Sequence, residues 1–402
     1  LCNKRFIILS FFSTLSAETT ALRQLLRQQI LTLSASSPDR GAFDTLALAV
    51  FRYQAAYNPL YSAYLQCLNV QPEKVTDLRQ IPFMPIGFFK THPVLTGIPS
   101  DPTPKQFDTL LTFASSGTTD RGVGPVVTSQ HFVPDPELYE AISTRIFEQT
   151  YGPLSNFHIL ALLPSYLERN NSSLVYMVQQ FMGKSALLGT GPTLSGFFLH
   201  NHGELTQRLK QLAERPDQKR ILLIGVTFGL LDWAESEADL SFTGQLPDLI
   251  VMETGGMKGR RKELLREEVH DILTSRLGIK TIHSEYGMTE LLSQAYSAGA
   301  GVFQPSSTLR ILLRDINDPF SIYPDDPAQM RSGERRSGGI NVIDLANLDS
   351  CSFIETQDLG QYVGNEQALP GESTLGESTP GAFRVIGRFD NSDVRGCNLM
   401  TI

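Results

Sequence analysis

From Thr109 onward the chain repeats one texture: a short apolar run ends in Gly, Ser or Pro, and a helical pattern follows. The runs are TLLTFASSGTT, FHILALLPSY, RILLIGVTFGLLDWA and LIVMETGG, interspersed with the amphipathic segments ELTQRLKQLAER and REEVHDILTSRLG. Strand-sized apolar runs alternating with helix-sized ones bury their surfaces best as a sheet covered by helices, so the pattern predicts an α/β fold. Ligand sites in such folds lie at the strand ends. The section from Thr308 to Tyr362 reads as shorter strands and turns, a smaller β-rich layer.

Upstream the texture is different. ETTALRQLLRQQILT, from Glu18 to Thr32, has apolar positions at helical spacing behind an acidic first turn, and an aromatic-rich helical region is expected from Asp44 to Leu68. The prolines of IPFMPIGFFKTHPV exclude a long regular helix there, and its aromatics are expected to be buried. The expected organisation is a helical N-terminal region over 1–105 packed on the main domain, an α/β domain over 106–387, and a hinge motif with a short tail over 388–402. GQYVGNEQALPGESTLGESTPGAF, between Gly360 and Phe383, offers little apolar surface to offset its ordering entropy and reads as a mobile loop.

With 402 residues, 41% of them apolar, the chain can bury a large core. A formal net charge of -8 gives no bulk electrostatic reason to expect nucleic acid or an anionic membrane as partner. The basic run KGRRKELLR, starting at Lys258, reads as a helix face or a rim around a small anion. Four cysteines, at 2, 67, 351 and 397, share no short spacing suited to zinc or a redox pair. No uninterrupted apolar run reaches the roughly 18 residues needed to span a bilayer, and a cytoplasmic protein is expected.

Two stretches carry candidate chemistry. In ASSGTTDRG small residues let backbone N–H groups converge on an anion while Ser and Thr hydroxyls add donors; this suits a phosphate, although it is not the GxxxxGK[ST] loop, and an ordinary turn has the same composition. HSEYGMTELL offers a ring in Tyr286, a hydroxyl in Thr289 and a carboxylate in Glu290, which suit a purine, a phosphate oxygen and Mg²⁺. Their plain alternatives are a core aromatic and helix-cap chemistry.

In that order and separation, SSGTT and YGMTE resemble the phosphate loop and nucleotide motif of the acyl- and aryl-adenylate-forming superfamily. ETQDLG resembles its ribose-binding aspartate motif and VIGRFDNSDVRG its arginine and hinge motif. IPFMPIGFFK, SEYGMTELLSQ and the terminal RGCNLM resemble, more closely, the acyl-protein synthetase (long-chain-fatty-acid–luciferin-component ligase) family. The resemblance runs from Ile81 to the terminus. It implies a large α/β adenylate-forming domain with mixed sheets flanked by helices, a helical N-terminal extension and a truncated C-terminal domain. It also implies ATP and Mg²⁺, activation of a fatty or other carboxylic acid to an acyl-adenylate, and acyl transfer to Cys397 and on to a partner such as an acyl reductase.

Carried over by motif, Ser115, Ser116, Gly117, Thr118 and Thr119 would wrap the phosphates, and Gly255 and Gly256 would lie along the adenine and acyl site. Tyr286 would stack on adenine with Gly287 and Met288 beside it, Thr289 would meet the α-phosphate, and Glu290 would hold Mg²⁺. Asp358 would bind the ribose hydroxyls, Arg388 ribose or phosphate, and Asp390 would sit at the hinge. Two departures stand out. Asp120 replaces an expected glycine of the phosphate loop, which also lacks its lysine and has Arg121 nearby. The twelve residues after Asp390 do not contain the domain of roughly one hundred residues that carries the superfamily's catalytic lysine. Lys258, Arg260, Arg261, Arg395 and His131 are the candidate replacement cations, and Arg395 would lower the pKa of the Cys397 thiol. Three alternatives stay open: Cys397 as a core side chain, coenzyme A or a carrier protein as acyl acceptor with a transferase or reductase as partner, and a catalytically inactive nucleotide- or acyl-binding protein.

Overall fold

The computed structural model describes residues 16–33, 40–97, 110–115, 127–165, 168–188, 194–214, 219–236, 239–255, 264–324, 337–363 and 381–389. The fold is mixed α/β, with parallel and antiparallel strands and flanking helices. Among the described residues, three helices come first. α1 (Ala17–Thr32) starts where Ser16 accepts a hydrogen bond from the Thr19 amide, and buries Thr19, Arg23, Leu26 and Ile30 along one stripe. The helical region expected from Asp44 to Leu68 is helical, divided into two helices, α2 (Arg40–Tyr57) and α3 (Pro59–Cys67). Pro59 has no N–H to continue the first helix and suits the first turn of the second, which Asn58 caps through the Tyr61 amide at 2.9 Å.

The proline-rich aromatic stretch supplies more than a loop. Met84–Pro85 forms a short strand, β1, before the single-turn helix α4 (Phe88–Thr91). After it come a hairpin of β2 (Leu111–Ala114) and β3 (Gln130–Val133), then α5 (Pro136–Tyr151), capped by Asp135. The main sheet follows: β4 (Phe157–Leu162), α6 (Ser173–Leu188), β5 (Gly196–Phe197), α7 (His202–Glu214), β6 (Arg220–Val226), α8 (Thr227–Ser236), β7 (Leu249–Thr254), α9 (Arg266–Leu277), β8 (His283–Tyr286) and β9 (Ala295–Ser297). Its order is β5-β4-β6-β7-β8-β9, parallel except for β9. The full burial of β4 explains its run of apolar residues, interrupted only by His158. α9 ends at Gly278, whose φ of 66° is a left-handed cap that glycine adopts without a Cβ penalty.

The section from Thr308 to Tyr362 builds the second sheet, from β10 (Leu309–Arg314), β11 (Ser337–Asp344) and β12 (Phe353–Tyr362), joined by β13 (Phe383–Arg388). One edge of β12 is shared. β1 lies parallel along Ile354 and Glu355, and β13 lies antiparallel from Asp358 to Tyr362, pairing Asp358 with Arg388. Pro85 is tolerated because β1 is an edge strand.

The N-terminal helices share the core of this sheet. Phe353 on β12 packs against Phe51 of α2, Tyr61 of α3 and Phe83, with ring centroids 5.8, 6.2 and 6.2 Å away. Arg23 of α1 is buried between two carboxylates, 2.5 Å from Asp349 and 3.0 Å from Asp135. No described helix is long and apolar enough to cross a membrane.

Candidate functional site

Four stretches distant in sequence meet where the β2–β3 hairpin, the turn after β8, the C-terminal half of β12 and the end of β13 come together. At the end of β2, Ser115 closes the hairpin: its hydroxyl accepts from the Ser129 amide at 3.0 Å, and its own amide donates to the Ser129 carbonyl at 3.1 Å. Beyond β8, the Tyr286 hydroxyl donates to Asp358 Oδ2 at 3.1 Å, and its ring packs against Phe303 and Phe383. Tyr286 is only 7% exposed, so it contributes a polar tip here rather than an open ring face. The other oxygen of Asp358 lies 3.7 Å from Arg388 Nε, as the β12–β13 register dictates.

A Cβ on Gly287 would lie 2.4 Å from Glu285 Oε1, so a side chain there requires the carboxylate, which Thr254 holds through a 2.6 Å hydrogen bond, to shift. The peptides that follow are clamped from behind. His131 Nδ1 donates to the Thr289 carbonyl at 2.9 Å and Asn347 Nδ2 to the Glu290 carbonyl at 2.8 Å. Asp344 then accepts from the amides of Leu292 and Ser293 at 2.7 and 2.9 Å. The Met288 carbonyl accepts from the Leu291 amide, turning the chain.

The electrostatics follow from burial. Loss of water pushes the Glu290 carboxyl up, partly offset by a hydrogen bond from the Ser129 side chain and by the Arg388 charge. Burial likewise raises Asp358, while Arg388, Tyr286 and Arg314 pull it back. Two buried carboxylates with few full countercharges form a site that a cation or hydroxyl donors would stabilise. His131 is the opposite case: full burial pushes its pKa down to about 4, so it stays uncharged near neutrality and supplies no cation there.

Gly255 sits at the end of β7 with φ 69°, its carbonyl accepting from the Thr227 hydroxyl. At the C-terminal ends of β4 and β6, where the strand order reverses, GFFLHNHG and LLIGVTFG adjoin. A Cβ on Gly229 would lie 3.0 Å from Leu199 Cδ1, and one on Gly225 2.8 Å from Leu162 Cβ. Close packing at this point requires both glycines.

The structure thus brings Ser115, His131, Tyr286, Gly287, Met288, Thr289, Glu290, Asp358 and Arg388 to one region. Ser116, Gly117, Thr118, Thr119, Asp120, Arg121, Gly256, Lys258, Arg260, Arg261, Asp390, Arg395 and Cys397 lie outside the described residues, as does most of the loop expected between Gly360 and Phe383. Among the described residues no cluster of three or more His, Cys, Asp or Glu is arranged to hold a metal by itself. Residues absent from the motif reading also shape the site: Ser129, Asp344 and Asn347 behind the turn, and Arg314, whose guanidinium donates to the carbonyls of Ile340 and Thr356 beneath β12. Their only sequence signal is a polar residue at the end of an apolar run, as in RILLR and NVID. No protein-family model matches the chain, and no curated protein does.

Proposed function

We propose that this chain activates a carboxylic acid with ATP, forming an acyl-adenylate and pyrophosphate. The observation that supports this reading most is the joining of Tyr286, Asp358 and Glu290, all buried, with the half-exposed Arg388 into one polar cluster, from three separate motifs that each resemble a nucleotide-binding element. In this reading Asp358 accepts the ribose hydroxyls with its two oxygens, and Arg388, half-exposed beside it, faces the ribose or the α-phosphate. Ser115 and Thr289 flank the phosphates. The Glu290 carboxylate, buried with the Ser129 side chain as a neutral donor, fits a site for Mg²⁺, an ion that keeps few protein ligands and completes its octahedron with phosphate and water. When bound, Mg²⁺ would offset charge on the phosphoryl oxygens.

The finer reading is that of an acyl-protein synthetase. A fatty acid is the acyl donor, Cys397 attacks the mixed anhydride as thiolate and expels AMP, and the thioester is handed to a partner such as an acyl reductase. RGCNLM supports it by its likeness to the terminal motif of that family.

The test is ATP–pyrophosphate exchange with Mg²⁺ and a panel of fatty and aromatic acids, followed by intact mass spectrometry on wild type and Cys397→Ser. Acid-dependent exchange in both proteins, with a hydroxylamine-labile adduct in wild type alone, is the expected result. Exchange without an adduct moves the acceptor to coenzyme A or a carrier protein. Nucleotide binding without exchange with any acid overturns the activation reading.

A further inference from the structure

The clamp behind the Thr289–Glu290 peptides has two unused polar atoms. A carbonyl oxygen only accepts, so the His131–Thr289 hydrogen bond places the imidazole proton on Nδ1 and leaves Nε2 with a lone pair. By the same reasoning, the Asn347–Glu290 bond fixes the amide with Nδ2 toward the carbonyl, which leaves Oδ1 as an acceptor. Both atoms are fully buried, and among the described residues neither has a hydrogen-bond partner. Two orphaned acceptors in one core are costly unless something donates to both.

His131 and Asn347 line the same small cavity, of about 10 Å³, together with Asp135, Asp349 and Ser350. The other polar side chains of its wall are already engaged. Asp135 and Asp349 hold Arg23, and the Ser350 hydroxyl donates to the Val94 carbonyl. A volume of that size matches one water molecule and little else. Water carries two donors, the number that the two orphaned acceptors call for.

We propose that His131 and Asn347 are positioning residues for the Thr289–Glu290 peptides, tied together by one buried water that donates to His131 Nε2 and Asn347 Oδ1. Each side chain then grips one peptide carbonyl with its N–H and the shared water with its other polar atom. The turn that carries Thr289 and Glu290 is thereby fixed to β3 on one side and to the start of the β11–β12 connection on the other. The uncharged state that burial imposes on His131 agrees with this arrangement, because an imidazolium has no lone pair to accept with. The inference stands whether or not the site activates a carboxylic acid.

The test is a high-resolution crystal structure of the full chain, with ¹⁵N-histidine spectra of the same protein in solution. Expected are a water within about 3.2 Å of both atoms and an imidazole protonated at Nδ1 only. His131→Asn, whose amide reproduces the Nδ1 donor, is expected to keep the Thr289 bond while the water loses one partner. His131→Phe loses both, with amide exchange at Leu291 and Leu292 rising about tenfold. A dry cavity in the wild-type crystal, or an imidazole protonated at Nε2, overturns the proposal even if neither variant folds.

Discussion

At the level of single residues, burial decides the chemistry more than residue type does. Tyr286, Asp358 and Glu290 read as ligand groups in the sequence, and all three are less than one-tenth exposed. If Asp358 holds the ribose, Asp358→Ala removes charged hydrogen bonds of about 1.5–3 kcal/mol, so ATP binding is expected to weaken about ten- to a hundredfold by calorimetry. His131 makes a separate prediction. Its pKa is about 4 in the fold against 6.5 ordinarily, so in that interval the unfolded chain binds more protons than the folded one. The stability that the neutral histidine preserves is therefore lost as the pH falls from 6.5 toward 4, by roughly 3 kcal/mol at the acid end on a scale of about 1.4 kcal/mol per pKa unit. The urea midpoint of His131→Asn is expected to fall less on acidification than that of wild type. Comparing the two proteins separates the histidine from Glu290, Asp344 and Asp358, whose raised pKa values work in the opposite sense.

Elements are held to one another by a few buried polar contacts. α1 meets α5 and the turn before β12 through Arg23, whose guanidinium keeps Asp349 from being buried alone and shares Asp135 with Arg27. Arg23→Met is expected to cost about 3 kcal/mol in denaturant unfolding at neutral pH, because Asp349 loses its countercharge while Asp135 keeps Arg27 at 2.6 Å. That penalty is expected to shrink on acidification as Asp349 takes up a proton. An equal penalty at all pH values would show that lost packing, not charge, is responsible. Asp344 ties the end of β11 to the turn after β8, accepting from two backbone amides, the Ser293 hydroxyl and the Ala346 amide. Asp344→Ala leaves the three amides buried and unpaired, while the Ser293 hydroxyl keeps Thr308, and is expected to destabilise the chain by several kcal/mol at about 1–3 per donor. Hydrogen exchange at Leu292 and Ser293 should rise more than the global loss explains.

For the whole molecule, β12 joins the parts: the N-terminal helices pack on its first half, while β13 brings Arg388 to Asp358 on its second. A chain starting after Gly97 would lack β1 and uncover Phe353, and is expected to lose cooperative thermal unfolding. A sharp transition in that fragment would mean that the helices are dispensable. The α/β class and most strands were legible because β4, β6 and β7 are nearly continuous apolar runs, and local composition alone marks such a strand. The polar candidates Tyr286, Glu290 and Asp358 stood out as residue types in short motifs. The helical region over 44–68 was legible, but its division at Pro59 and the strand β1 were not, the first because Pro59 acts at a boundary and the second because a two-residue strand exists only through its partner. Ser129, Asp344, Asn347 and Arg314 were invisible for the same physical reason. Hydrogen bonds between residues tens to hundreds of positions apart leave no periodicity behind, so folding alone decided that Asn347 holds Glu290 and that Asp358 lies between Tyr286 and Arg388.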